Sequence, residues 1–246
     1  MRILVIGESC KDIFVYGLVN RLCPEAPVPV FSPLEQLENG GMAMNVKNNI
    51  QAMGAQVDIQ TNNNWETITK TRFIDKRTNH MVMRLDNNDS TISKTKYLDS
   101  IKYEKYSAII VSDYNKGFLS EKDILKISTN HDCTFLDTKK ILGDWCRNVK
   151  FIKINNYEYE KTKDQISAEL EAKMIVTLGP NGCRHHGITY PVKKTEIKDV
   201  AGAGDTFVAA LAFKYVEKSF GQMDVSTFYT EGTSNFLNTL NLLVII

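Results

Sequence analysis

The sequence predicts a three-layer α/β/α sandwich with a mostly parallel sheet and a small β lid. Short runs rich in β-branched residues recur along the 246-residue chain without polar alternation, as strands covered on both faces require. Segments with helical spacing lie between several of these runs. Two further stretches alternate instead and read as antiparallel strands standing apart from the main sheet.

The elements follow in order. Ile3 to Ile6 opens the sheet. Val28 to Phe31, led in by the proline-rich Cys23-Pro-Glu-Ala-Pro-Val-Pro29, reads as a lid strand. Ala43 to Met53 reads as a helix with Val46, Ile50 and Met53 on one face, and Val57 to Ile59 returns to the sheet. Asn62-Asn-Asn64 marks a loop. Ile68 to Ile74 and His80 to Leu85 read as an antiparallel pair around the turn Asp75-Lys-Arg-Thr-Asn79. Ala108 to Val111, Thr134 to Leu136, Phe151 to Ile154 and Met174 to Leu178 complete the sheet, and Ser120 opens a helix through Ile127 with acidic residues in its first turn. With no repeat, low-complexity tract or long linker, the expectation is one domain over 1–246, with lid strands from about 14–31 and 67–86.

Composition narrows the function classes. A net charge of +1 and no basic patch argue against a nucleic-acid partner. Five scattered cysteines with no Cys-x-x-Cys pair point to a reduced, intracellular protein. The apolar start breaks at Gly7-Glu-Ser9, too short for a signal-peptide core. The apolar stretch Leu237 to Ile246 is too short to span a bilayer, so no membrane role and a cytoplasmic location are expected.

The segment that carries chemistry is Asp199-Val-Ala-Gly-Ala-Gly-Asp-Thr-Phe207, running into the apolar-periodic Val208 to Val216. Gly202, Ala203 and Gly204 at a helix start would leave backbone N–H groups bare toward an anion. Asp205 in the same turn is then out of place unless it serves as a general base, deprotonating a hydroxyl that attacks a phosphoryl group held by those N–H donors. The alternative on spacing alone is a tight glycine turn with Asp205 as a helix cap. No Gly-x-x-x-x-Gly-Lys-Ser/Thr occurs, and Gly7-Glu-Ser-Cys-Lys11 is not Gly-x-Gly-x-x-Gly, which argues against Walker-type ATPases and ordinary Rossmann dehydrogenases.

Ala201-Gly-Ala-Gly-Asp205 with its leading Asp199 resembles the C-terminal signature of the ribokinase-like (PfkB) carbohydrate kinases. Gly40-Gly41 followed by Asn45, Asn155-Asn-Tyr-Glu158 and Thr177-Leu-Gly-Pro-Asn-Gly182 are similar to further motifs of that family, in the right order. Tyr16-Gly17, Arg21 with Pro24-Glu-Ala-Pro-Val-Pro-Val30, Thr67-Ile-Thr-Lys-Thr-Arg72, Arg84-Leu-Asp86, Ser112-Asp-Tyr-Asn-Lys-Gly117 and Asp137-Thr-Lys139 resemble its heptose-kinase branch.

The resemblance implies an ATP-dependent, Mg²⁺-requiring kinase acting on a sugar phosphate, D-glycero-β-D-manno-heptose 7-phosphate first, with another sugar or nucleoside, or a catalytically silent binding protein, as alternatives. It implies that Asp205 is the base, that residues 201–204 form the anion hole, and that Asp199 shapes a monovalent-cation site. Asn155 and Glu158 would serve the nucleotide phosphates and, through water, magnesium. Thr177, Gly179 and Gly182 would form the floor under the nucleoside. Asp12, Gly41 and Asn45 would hold the sugar; Arg21, Arg72, Arg84 and Lys116 are candidates for the substrate phosphate or for lid salt bridges. Dimerisation through the lid is expected, as is an adenylyltransferase on a separate polypeptide. Met42 departs from the branch's Gly-Gly-Ala-Ala-Asn pattern and would narrow the sugar pocket. The chain is also short: the helix and strand expected after Gln60 have no room, and 158–173 has space for barely one helix. His185-His186, on opposite faces of a strand, would be structural rather than a metal pair.

Overall fold

The computed structural model describes residues 1–192 and 202–219. Its main sheet has the order β12-β11-β10-β9-β8-β7-β1-β4. Six of these strands run parallel: β1 (Arg2–Gly7), β4 (Gln56–Gln60), β7 (Ala108–Asp113), β8 (Thr134–Thr138), β9 (Phe151–Asn155) and β10 (Met174–Thr177). A short antiparallel hairpin, β11 (Cys183–His185) and β12 (Ile188–Tyr190), closes one edge. The predicted sheet strands are all present; the hairpin is additional.

Alternation within the buried strands assigns the two cores. Ile3 and Val5 of β1, with Ile110 and Phe135, pack under α1 (Gly41–Ala52) and α5 (Ala203–Ser219). Leu4 and Ile6, with Ile109, Val111 and Leu136, pack on the opposite side under α2 (Glu121–Asn130). Ser120 caps α2 in a reciprocal box with Asp123, as its first-turn composition predicts, and Ile124 and Ile127 one turn apart face the sheet.

The lid is a four-stranded sheet of order β3-β2-β5-β6, formed by β2 (Lys11–Leu22), β3 (Pro29–Asn39), β5 (Thr69–Asp75) and β6 (His80–Asn87). Val28 to Phe31 is only the start of β3, which continues through Pro33, a residue an edge strand tolerates because one side of its backbone needs no partner. The chain passes from β4 through a single 3-10 turn at Trp65–Thr67 into β5, so nothing occupies the place of a further helix and strand there. Between Glu158 and Lys173 the expectation of barely one helix is corrected. Two short ones form, α3 (Asn156–Thr162) and α4 (Ala168–Ala172), because Asn155 and Ser167 each supply a cap.

Met42 stands at the start of α1. Its backbone has φ +48, and its side chain is buried in the core cluster that also holds Cys10 and Ile68. His186 lies just outside β11 with φ +49, and its ring stands 4.0 Å from that of His185, so the opposite-face argument does not hold. His185 is still structural, its Nδ1 bonded to the Met174 carbonyl at 2.7 Å. All five cysteines are free. Among the described residues no helix is long and apolar enough to cross a membrane.

Candidate active site

Open parallel sheets present functional side chains beyond the carboxyl ends of their strands. Here those ends deliver Glu8 and Asp12 after β1, Tyr114 after β7, Asp137 in β8 with Lys139 just beyond it, Lys153 and Asn155 in β9 and Thr177 in β10. Over them sits the N-terminus of α5, where Gly202 turns the chain with φ +75 and the first-turn N–H groups of Ala203 to Asp205 have no partner within the helix.

Asp205 is 3% exposed and tightly held. The Tyr114 hydroxyl donates to Oδ1 at 2.7 Å and the Asn45 amide donates to Oδ2 at 3.0 Å. One turn along α1, Asn49 donates to Thr206 Oγ1 at 3.1 Å, so a polar edge of α1 docks the start of α5. Burial raises the Asp205 pKa from 3.8 to about 6; the bonds from Asn45 and Tyr114 oppose this, Asp137 adds to it and Lys153 lowers it.

Beneath the turn lies a buried ion pair, Lys153 Nζ to Asp137 Oδ2 at 2.8 Å, both residues 3% exposed. A Cβ at Gly204 would come within 2.6 Å of Lys153 Nζ, so the ammonium lies directly against the helix start. Lys139 Nζ is 3.5 Å from the other Asp137 oxygen and 2.6 Å from Glu158 Oε1. Burial alone would lower the Lys139 pKa, but the carboxylates of Asp137 and Glu158 raise it above the ordinary value. A continuous charged chain thus runs from the α5 terminus to the Asn-x-x-Glu motif.

That motif caps α3: Asn155 Oδ1 accepts from the Glu158 N–H at 2.9 Å, and Glu158 Oε2 accepts from the Asn155 N–H at 2.8 Å. Beside it is a cavity of about 410 Å³ lined by Asn155, Asn156, Tyr157, Thr177, Leu178, Gly179 and Asn181. Three of the residues expected at the nucleotide are therefore together. Gly182 lies outside the lining and closes the loop, its carbonyl accepting from the Leu178 N–H at 2.7 Å. A larger hollow of about 750 Å³ is lined by Ser128, Asp132, Arg147 and Lys150 among others, none of them a residue of this group.

At the start of β2, Arg72 Nη2 donates to Asp12 Oδ2 at 3.0 Å, while Asp12 Oδ1 is buried with no hydrogen-bond partner among the described residues. Burial raises the Asp12 pKa above the ordinary carboxylate value even beside that guanidinium. Gly41, with φ +48, packs on Asp12, and a Cβ there would lie 3.3 Å from the Asp12 Cβ. Asn45, expected on the sugar, is engaged by Asp205. Arg84 holds Asp86 through two bonds of 2.7 Å, and Lys116 pairs with Asp89, so three of the four candidate cations make lid salt bridges; Arg21 is exposed near the end of β2. Asp199 and Ala201 lie outside the described residues. Sequence reasoning missed Lys153 and Glu8 as site residues, although a lone charge inside or at the end of a wholly apolar strand is itself a signal.

Residues 38–228 match the sequence model of the pfkB family of carbohydrate kinases, and the chain belongs to that family. That family is one of carbohydrate kinases, phosphotransferases that use an alcohol as acceptor. The bifunctional protein HldE of Helicobacter acinonychis is 28% identical over 88% of this chain, and that of Aliarcobacter butzleri 29% over 86%. The chain spans 58% and 56% of the length of those two relatives. Its fold is shared by the ribokinase of Arabidopsis thaliana, solved with ribose and ATP, at TM-score 0.61 and 15% identity, covering 90% of this chain and 86% of that one.

Proposed function

We propose that this chain transfers the γ-phosphoryl group of ATP to a sugar-phosphate hydroxyl, O1 of D-glycero-β-D-manno-heptose 7-phosphate. The observation that carries the reading is Asp205, a carboxylate with both oxygens oriented by neutral donors at a helix start whose first N–H groups have no partner within the helix. In this reading the acceptor hydroxyl meets Asp205 and gives up its proton as the bond to phosphorus forms. The N–H groups of Gly202, Ala203 and Gly204, backed by the Lys153 ammonium, hold the charge on the transferring group. Asp12 Oδ1 takes a sugar hydroxyl, for which a carboxylate oxygen has spare acceptor sites. Gly41 keeps the backbone close to that carboxylate.

The nucleotide would lie along the cavity at Asn155, Thr177 and Gly179, with Gly182 setting its loop. Mg²⁺ would neutralise the phosphates it arrives with. Among the described residues no cluster of three acidic, His or Cys side chains could cage a metal, which fits an ion that keeps its waters and the nucleotide oxygens as ligands. Glu158 would hold one of those waters by exchanging it for Lys139, now 2.6 Å from Oε1. Asp199 is proposed at a monovalent-cation site. As to partners, we place a second copy at the lid, where Met81, Met83 and Leu85 of β6 are about half exposed. The cytoplasm suits its free cysteines.

The burial of Asp205 favours a second reading, a silent nucleotide- or sugar-binding homologue. A single experiment separates them: incubate the chain with Mg·ATP and, in turn, heptose 7-phosphate, ribose, fructose phosphates and adenosine, and follow products by mass. A heptose bisphosphate supports the proposal. Another phosphorylated acceptor changes the substrate, and ligand-induced thermal stabilisation without ATP consumption establishes the silent homologue. Sizing the same preparation in solution tests the dimer, which a monomer mass would rule out.

A further inference from the structure

Tyr114 is the donor to Asp205 that no motif assigned. Its hydroxyl reaches Oδ1 at 2.7 Å, and two ammonium groups approach its ring, Lys70 Nζ at 5.9 Å and Lys139 Nζ at 5.5 Å from the ring centre. The loop carrying it is fixed from below. Glu8, fully buried at the end of β1, accepts from the Tyr114 N–H at 2.8 Å through Oε2 and from the Lys116 N–H at 3.0 Å through Oε1. Between them Asn115 turns the chain with φ +57. A buried carboxylate clamping two turn amides on either side of Asn115 is costly unless the turn must be held, and what the turn holds is the phenol against Asp205.

We propose that Tyr114 is a positioning residue for Asp205, its hydroxyl fixing Oδ1 and stabilising the ionised carboxylate that must accept the proton. The inference rests on the reading of Asp205 as base. Each carboxylate oxygen has two acceptor positions, so neither Tyr114 nor Asn45 blocks the incoming hydroxyl. The groups facing Asp205 are Asn45 from α1, Tyr114 from the loop after β7, Asp137 from β8 and Lys153 from β9. Of these, Tyr114 and Asn45 are neutral donors to the carboxylate itself, and donation to the charged form holds its pKa down against burial. Removing the phenol therefore raises it.

Tyr114→Phe keeps the ring and deletes the donor. With heptose 7-phosphate or whichever acceptor is turned over, kcat falls about tenfold or more, as expected for a lost bond to an ionised group, KM for ATP holds, and the acid limb of kcat/KM moves to higher pH. Site-specific 3-fluorotyrosine at 114, a more acidic donor, moves that limb to lower pH and keeps the test open should Tyr114→Phe fail to fold. A limb that stays in place in the folded variants, with or without loss of kcat, overturns the proposal, because a packing role does not move a titration. If Asp205→Asn proves fully active, the reading of Asp205 falls and the inference with it. If Asp205→Asn is inactive and the limb is unmoved, only the inference falls.

Discussion

Asp205 is held in the fold at a cost. Its pKa is raised from 3.8 to about 6, so the folded chain binds this proton more tightly than the unfolded chain does. The stability it contributes is complete below about pH 4 and is lost as the pH rises through about 6, a difference of about 3 kcal/mol at 1.36 kcal/mol per pH unit. Asp205→Asn removes this dependence. Urea unfolding is expected to show the variant gaining on the parent chain from pH 4 to pH 7.5 by up to about 3 kcal/mol, and a constant difference across that range would contradict the burial argument. At this scale the sequence singled out Asp205 through its place in a glycine-rich turn at a helix start, and the structure finds it buried and hydrogen-bonded there. The sequence did not disclose Tyr114, quoted only within a motif, because the contact spans 91 positions. Lys153 could have been found, since an ammonium in Phe151-Ile-Lys-Ile154 has no reason to be buried without a partner carboxylate.

At the scale of elements, the site depends on how α5 begins. Gly202 sits at φ +75, and a Cβ there would come 2.6 Å from the Asn45 amide nitrogen that holds Asp205 Oδ2. Gly202→Ala is expected to cost about 1–2 kcal/mol for the left-handed backbone and, by displacing Asn45, to lower kcat. Denaturant unfolding and steady-state rates check both, and a variant matching the parent in each would show that the turn is not needed in this form. The buried strands were legible because both faces are covered and apolar runs result. β2 and β3 were largely hidden, since Lys11-Asp-Ile-Phe-Val-Tyr-Gly17 is mixed and β3 carries Pro33, Glu35 and Glu38 on an edge. The β11–β12 hairpin has three-residue strands, too short for any period to register.

For the whole molecule, six parallel strands ending on one side bring residues as distant as Glu8 and Asp205 into one polar assembly without long-range signals in the sequence. That convergence gives the two acids different surroundings: Glu8 faces two backbone amides, whereas Asp205 faces a phenol, a carboxamide and the start of a helix. The short connections between β4 and β5 and between β9 and β10 fall between the strands that carry the site. The account stands on Asp205 as the group that deprotonates the acceptor. Its most direct test is turnover of Asp205→Asn with Mg·ATP and the accepted sugar, beside ATP binding by calorimetry on the same sample. The account predicts a fall in kcat of orders of magnitude with ATP affinity retained; undiminished turnover would contradict it.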